Sequence, residues 1–280
     1  DKMCGHYCAY SALVKQNCRY CEVPTYKSDN PTANYPLQTK RGTQRLVDNG
    51  TDTDLQDKSQ QRIQNAFYDI KFGSQHKRSI HGSSSAETLH QWQKGVLERL
   101  HGVFFSTDFI NEGTQTAFAL DIISARIGRR AKHQSDRDLP RLYFPKGLTN
   151  NARLTAAEFP GLLLLLLMVL LNQAGRDAVK TARGKAKRDK LHDNFVIDFI
   201  HILENVLQCE AWLKSETLSV REVHKAKATF QWLMECILLA VIAQTKGMGW
   251  KIPKFHYIVH MCNDMLDYGV SPNYNSGPCE

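Results

Sequence analysis

Ser84-Ser85-Ala86-Glu87, followed by Leu89, Trp92, Val96, Leu97, Leu100 and Phe104, is the stretch that decides the fold class. A serine with glutamate three positions on has the form of a capping box, and the apolar residues behind it recur at helical spacing on one face. The pattern returns twice. Thr155-Ala156-Ala157-Glu158 precedes the leucine run Leu162 to Leu171, and Ser219-Val220-Arg221-Glu222 precedes Val223, Phe230, Leu233, Ile237, Leu238 and Val241. Between them Phe195, Phe199, Ile202, Leu203, Val206 and Leu207 mark another amphipathic helix. Thr116 to Ala131 marks one more, ending in Arg126, Arg129, Arg130 and Lys132, where positive charge suits a helix C-terminus. Helices of ordinary length account for the middle of the chain, and the predicted class is mainly α.

The flanks read differently. Residues 1 to about 85 are rich in turn formers, including Pro24, Pro31, Pro36, Gly42, Gly50, Gly73 and Gly82, so strands there are expected to be short and few. Leu37 to Lys58 is polar, mixed in charge and almost free of apolar periodicity, which predicts a loop or a poorly ordered excursion without a functional role. The leucine run falls short of the roughly 20 apolar residues a membrane span needs, so it is expected to be a buried core helix and no membrane partner is expected.

Composition is that of a globular protein, with 42% hydrophobic and 23% charged residues in 280. The formal charge of +8 favours anionic partners, nucleic acid first. Eight cysteines without an apolar leader segment point to a reducing compartment, where Cys-x-x-Cys serves metal or redox chemistry more often than disulfides. The chain opens at Asp1-Lys2-Met3 and stops at Pro278-Cys279-Glu280, and it is read as a fragment. It contains no Walker loop, Gly-x-Gly-x-x-Gly, Gly-x-Ser-x-Gly or kinase signature, so the common nucleotide and hydrolase classes lack positive support.

Four groups of residues carry candidate chemistry. Cys18-Arg19-Tyr20-Cys21 can offer two thiolates to one zinc ion from a tight turn, with Cys4 and Cys8, or His6 as an alternative, completing four ligands; ordinary free cysteines are the competing reading. His256, His260, Cys262 and Glu280 close the chain as the cysteines open it, a layout that suggests one site whose two halves are far apart in sequence around a helical block; His256 and His260, one helical turn apart, could bind a metal with Cys262 nearby, while their neighbours Phe255, Tyr257, Ile258, Val259 and Met261 predict packed, hydrogen-bonded histidines that can still line a site. Glu87-x-x-His90 and Glu98-x-x-His101 share the form of helical di-iron ligands. Eleven residues on one helix part them by about 16 Å, so they cannot serve a single dinuclear centre. Lys180, Arg183, Lys185, Lys187, Arg188 and Lys190, with Arg129 and Arg130, form basic groups able to neutralise DNA phosphates, or else a solvated surface.

The two ends of the chain resemble transposon-derived transposases of the Plavaka and Kyakuja/Dileera/Zisupton types, relatives of the CACTA and hAT elements. At the start, Asp1-Lys2-Met3-Cys4-Gly5-His6-Tyr7 leads to Cys18-Arg19-Tyr20-Cys21; at the end, Pro253-Lys254-Phe255-His256 through His260 is followed by Tyr268-Gly269 and Asn273-Tyr274-Asn275. The resemblance implies a ribonuclease H-like α/β core carrying three carboxylates, interrupted by a helical insertion, with DNA strand transfer assisted by two Mg²⁺ or Mn²⁺ ions. By position, Glu280 matches the third acid. Glu87 and His90 fall where these transposases show Asp-x-x-His or Cys-x-x-His, glutamate being a departure from that pattern. The second acid would lie just upstream of Asp1 and the first further back, so the fragment alone is expected to be catalytically incomplete.

The resulting expectation has three parts: partial core with a cysteine-rich zinc segment over 1–85, helical insertion over 86–270, and return to the core over 271–280. The function expected is that of a transposase or its descendant, nuclear, binding DNA and self-associating, with metal-dependent cleavage in the intact parent. The alternative is a domesticated, non-catalytic zinc and DNA-binding or scaffold protein. A third reading is an unrelated helical metalloprotein built on Glu87, His90, Glu98 and His101.

Overall fold

The computed structural model describes residues 15–63, 81, 85–106, 110, 115–131, 140–149, 154–183, 194–240 and 249–274, leaving aside the side chains of 180–183, 240, 273 and 274. In chain order its helices are α1 (Lys40–Asn49), α2 (Asp52–Asp57), a π-helical segment (Thr88–Leu97) continuing into α3 (Glu98–Phe104), α4 (Gln115–Ala131), α5 (Phe159–Leu171), α6 (Gln173–Arg183), α7 (Phe195–Leu213), α8 (Val220–Ala240), α9 (Pro253–His256) and α10 (Ile258–Tyr268). Among the described residues there is no strand, only isolated antiparallel bridges pairing Gln16 with Pro24 and Cys21 with Leu37. The protein is mainly α.

Two compact units divide the chain. The first comprises Asp1–Glu87, Glu216–Trp232 and Met248–Tyr274; the second comprises Thr88–Ser215, Leu233–Gly247 and Asn275–Glu280.

In the first unit the segment from Leu37 to Lys58 is helical rather than a loop. Thr39 caps α1 by accepting from the Gly42 amide, and Thr51 and Asp54 form a reciprocal capping box on α2. These caps satisfy amides that a short polar helix would otherwise leave to water. Each helix buries only a narrow strip, Thr43 and Val47 on α1 and Leu55 on α2, which is why apolar periodicity missed them. The C-terminal part of this unit is tied to its N-terminal loop. Asn17 Nδ2 donates to the Lys251 carbonyl at 3.5 Å, and Gln231 Nε2 to that of Pro31 at 3.0 Å. The buried Asp264 carboxylate accepts the Ala86 amide at 2.5 Å.

The second unit is built around α5, whose ten buried residues from Phe159 to Leu170 leave Met168 and Leu171 as its exposed large side chains. A helix apolar on nearly every side packs on nearly every side. α5 contacts α4, α6, α7 and the π-helical segment, and Phe104 of α3 packs on Phe199 of α7 with ring centroids 4.8 Å apart. The backbone comes close here: a Cβ at Gly161 would overlap the Arg141 carbonyl oxygen. No single helix among the described residues is long and apolar enough to cross a membrane, and α5 and α6 meet at a 93° bend.

The stretch after Ser85 is helical, but its first ten residues wind as a π-helix. The i→i+5 bonding widens the turn, and Thr88, Gln91 and Gln93 are buried together with Leu89, Trp92, Val96 and Leu97. Gln93 Nε2 donates to the buried Glu210 carboxylate at 2.8 Å.

The capping box at α5 is present as read: the Glu158 carboxylate accepts from the Thr155 amide at 2.9 Å and from its hydroxyl at 3.1 Å. Thr155→Ala is expected to cost about 1 kcal/mol, seen as a lower denaturant midpoint at unchanged slope. Cys209 lies 6% exposed on α7, and burial pushes its thiol up to about 12. It is expected to resist thiol reagents in the native protein and react fully in denaturant, as peptide mapping of the labelled chain will read out.

Candidate metal centre

Cys18 and Cys21 sit on a tight loop of the first unit, facing His256 at the end of α9 and His260 in the first turn of α10. Their donor atoms all lie within 4.8 Å of one another, and all four residues are buried. Cys18 Sγ is 3.5 Å from His260 Nε2, Cys21 Sγ is 3.2 Å from His256 Nε2, and the two Nε2 atoms are 3.3 Å apart. A tetrahedron with Zn–S near 2.3 Å and Zn–N near 2.05 Å has S···N edges of about 3.6 Å and N···N edges of about 3.3 Å. The donor set therefore fits one tetrahedral ion and could hold a metal.

The loop is shaped for this by its own backbone. The Tyr20 amide donates to Cys18 Sγ at 3.3 Å, folding the turn around the first sulfur. Gln38 Nε2 donates to the Cys18 carbonyl at 2.7 Å, and Gln16 Nε2 to the Cys21 carbonyl at 3.1 Å. His81 braces the loop from the other side. Its Nδ1 lies 3.1 Å from the Arg19 carbonyl, which can only accept, so Nδ1 carries the proton and Nε2 takes the Thr43 hydroxyl at 2.7 Å.

Aromatic and cationic groups complete the wall. The Tyr20 ring stacks on His260 with centroids 4.9 Å apart and planes at 24°. Arg19, 7% exposed, donates to the Tyr20 hydroxyl at 2.6 Å and to the Ser85 carbonyl at 3.1 Å. Ligating histidines commonly hand their second N–H to an acceptor. His256 Nδ1 is buried without one among the described residues.

Electrostatically the two thiols behave as a pair. The hydrogen bond from Cys18 comes first in lowering Cys21 well below the ordinary thiol range, aided by His256 and His260 and opposed by burial. Burial, then the bond with Cys21, holds Cys18 well above that range. One negative charge is thus favoured in a dry pocket lined by two imidazoles, an arrangement that a divalent cation would complement.

Of the residues singled out in the sequence, Cys18 and Cys21 are in this group. Cys4, His6, Cys8, Lys185, Lys187, Arg188, Lys190 and Glu280 lie outside the described residues, as do the side chains of Lys180 and Arg183. Glu87 is half-buried ahead of the π-helical segment, His90 is exposed on it, and neither belongs to the cluster. Arg129 and Arg130 are exposed at the end of α4.

His101 is no ligand: it is buried and its Nε2 donates to the Leu148 carbonyl at 2.7 Å. Among the described residues the Cys-His group is the one cluster of three or more such donors able to hold a metal, so a helical di-iron centre finds no support there. Sequence reading had His256 and His260 as packed residues, and packed they are. The layout of the chain pointed to one site in two halves far apart in sequence, but it completed the Cys-x-x-Cys with Cys4 and Cys8, or His6, rather than with the His-x3-His that supplies the other two donors. No protein-family model, curated protein or solved structure matches the chain.

Proposed function

We propose that the chain is a zinc-containing, DNA-binding protein of transposase descent, in which Cys18, Cys21, His256 and His260 hold a structural zinc ion. The observation that carries the zinc assignment is the convergence of four buried donors at tetrahedral spacing from two segments 235 and more residues apart. Four protein ligands fill the coordination shell, which suits a structural ion rather than a catalytic one. The ion would join the cysteine loop to α9 and α10, the two regions whose sequences resemble the ends of the transposase insertion.

The DNA reading is supported by the charge of +8 and by Arg126, Arg129 and Arg130, exposed together at the end of α4. Strand transfer with Mg²⁺ or Mn²⁺ belongs, in this proposal, to the intact parent, with Glu280 as one acid of a ribonuclease H-like core and nuclear DNA as substrate. Among the described residues no carboxylate cluster fits such a pair of ions, so no catalytic step is derived.

Two measurements test the proposal. Elemental analysis of the purified chain is expected to find one zinc per molecule, lost in Cys21→Ser. Labelled duplex DNA is expected to bind with strong salt dependence; with the parent protein and Mg²⁺, nicking abolished by Glu280→Ala supports a transposase, and binding without nicking supports a domesticated descendant. Absence of both zinc and DNA binding refutes the proposal.

A further inference from the structure

The outward face of α8 carries a line of exposed residues at regular spacing: Arg221, Lys225, Ala228, Trp232, Glu235 and Leu239. Steps of four and three residues keep side chains on one stripe of a helix. At about 100° per residue this stripe runs opposite the buried one through Val223, Phe230, Leu233 and Ile237. A face so fully turned to water is ordinarily polar, yet Trp232 is 49% exposed and Leu239, a heptad further on, 82%. We infer that this face of α8 is a self-association surface, on which a second copy of the chain lays the same stripe antiparallel.

The stripe specifies its own partner. Its steps of four, three, four, three and four read the same from either end, so two antiparallel copies centred between Ala228 and Trp232 set every stripe residue over another. Lys225 of one copy then faces Glu235 of the other, and the two-fold axis repeats the pair. Ala228 faces Trp232, a small residue making room for an indole. Arg221 faces Leu239, where the arginine stem covers the leucine and its guanidinium stays in water. A parallel pair would instead set Lys225 on Lys225 and Glu235 on Glu235, like charge on like at both places.

Other occupants match the stripe less well. Duplex DNA and anionic lipid are drawn to Arg221 and Lys225, but both meet the Glu235 carboxylate between the two large apolar groups, Trp232 and Leu239. An unrelated protein would have to present an acid opposite Lys225, a small residue opposite Trp232 and a cation opposite Glu235, all at this spacing. The reversed stripe presents all three. Neither zinc nor DNA takes part in this contact, so it stands or falls apart from both.

Sedimentation equilibrium of the full chain, as purified, is expected to show a reversible dimer. Lys225→Glu, Glu235→Lys and Trp232→Ala are each expected to weaken it by about tenfold or more. The double variant Lys225→Glu with Glu235→Lys restores opposite charges across the pair and is expected to recover the affinity of the unsubstituted chain. All three side chains are exposed, so the thermal midpoint is expected to hold in every variant. A chain that stays monomeric at its highest soluble concentration, or a dimer indifferent to the charge reversals, overturns the inference. So does a dimer weakened by each reversal and not recovered in the double variant, because the two residues then do not face each other. A monomer that binds duplex DNA, or vesicles of phosphatidylserine and phosphatidylcholine, and loses them with Trp232→Ala gives the face to that ligand and overturns the inference as well.

Discussion

Stripping the metal with a chelator, or replacing Cys21 with serine, is expected to destabilise the first unit of the chain strongly. In zinc-finger peptides the binding free energy of a structural zinc is on the order of 10–16 kcal/mol at neutral pH, and in small domains much of it is folding free energy. Here the unit's own buried residues, among them Tyr20, Val23, Val47, Leu55, Phe255 and Met261, oppose complete unfolding. The net loss expected on metal removal is therefore smaller, about 3–5 kcal/mol. Calorimetry with and without chelator, beside zinc content, measures it.

His260→Cys is expected to keep zinc and most of the stability, because three thiolates and one imidazole are an ordinary zinc shell. His260→Ala is expected to lose both. A chain that melts at the same temperature with or without chelator, and carries no zinc as purified, would sink the assignment.

Acid is expected to cost the second unit about 3 kcal/mol through His101. This imidazole is 1% exposed, packed beside Phe105 with ring centroids 4.8 Å apart, and burial lowers its pKa to about 4 despite the Leu148 carbonyl. The folded value lies below the unfolded value of about 6.5, so the unfolded chain binds the proton more tightly. Stability from this residue is complete above pH 6.5, declines as pH falls through the window from 6.5 to 4, and changes no further below it. The span of about 2.5 pH units at 1.36 kcal/mol per unit sets the size. His101→Gln, which can keep the donor to Leu148, is expected to flatten that slope. Denaturant melts at pH 7.5, 5.5 and 4 decide; parallel slopes in both proteins would show that His101 is not responsible.

How much of this was legible beforehand differs from element to element. α5, α7 and α8 announced themselves because each buries apolar residues that recur at helical spacing, so the demand for burial is written along the chain. The capping boxes at Thr155 and Ser219 were equally legible, being local exchanges between residues three apart. α1 and α2 were not. Their stability comes from caps and a two-residue strip of contacts, and a polar stretch with a few isolated contacts looks like a loop in one dimension. The π-helical winding of Thr88–Leu97 was hidden for a related reason, since its apolar residues satisfy α-helical spacing too.

The sequence by itself determined the mainly helical class, the candidate ligands Cys18 and Cys21, and the basic end of α4, because propensity, capping and charge act between near neighbours. The layout of the chain suggested that its two ends share a site; the tertiary structure decided that His256 and His260 are the residues that meet those cysteines, and that His101 is a buried neutral donor. Each of these depends on residues far apart in the chain being brought within bonding distance in a dry interior. Spacing along the sequence carries no record of such meetings.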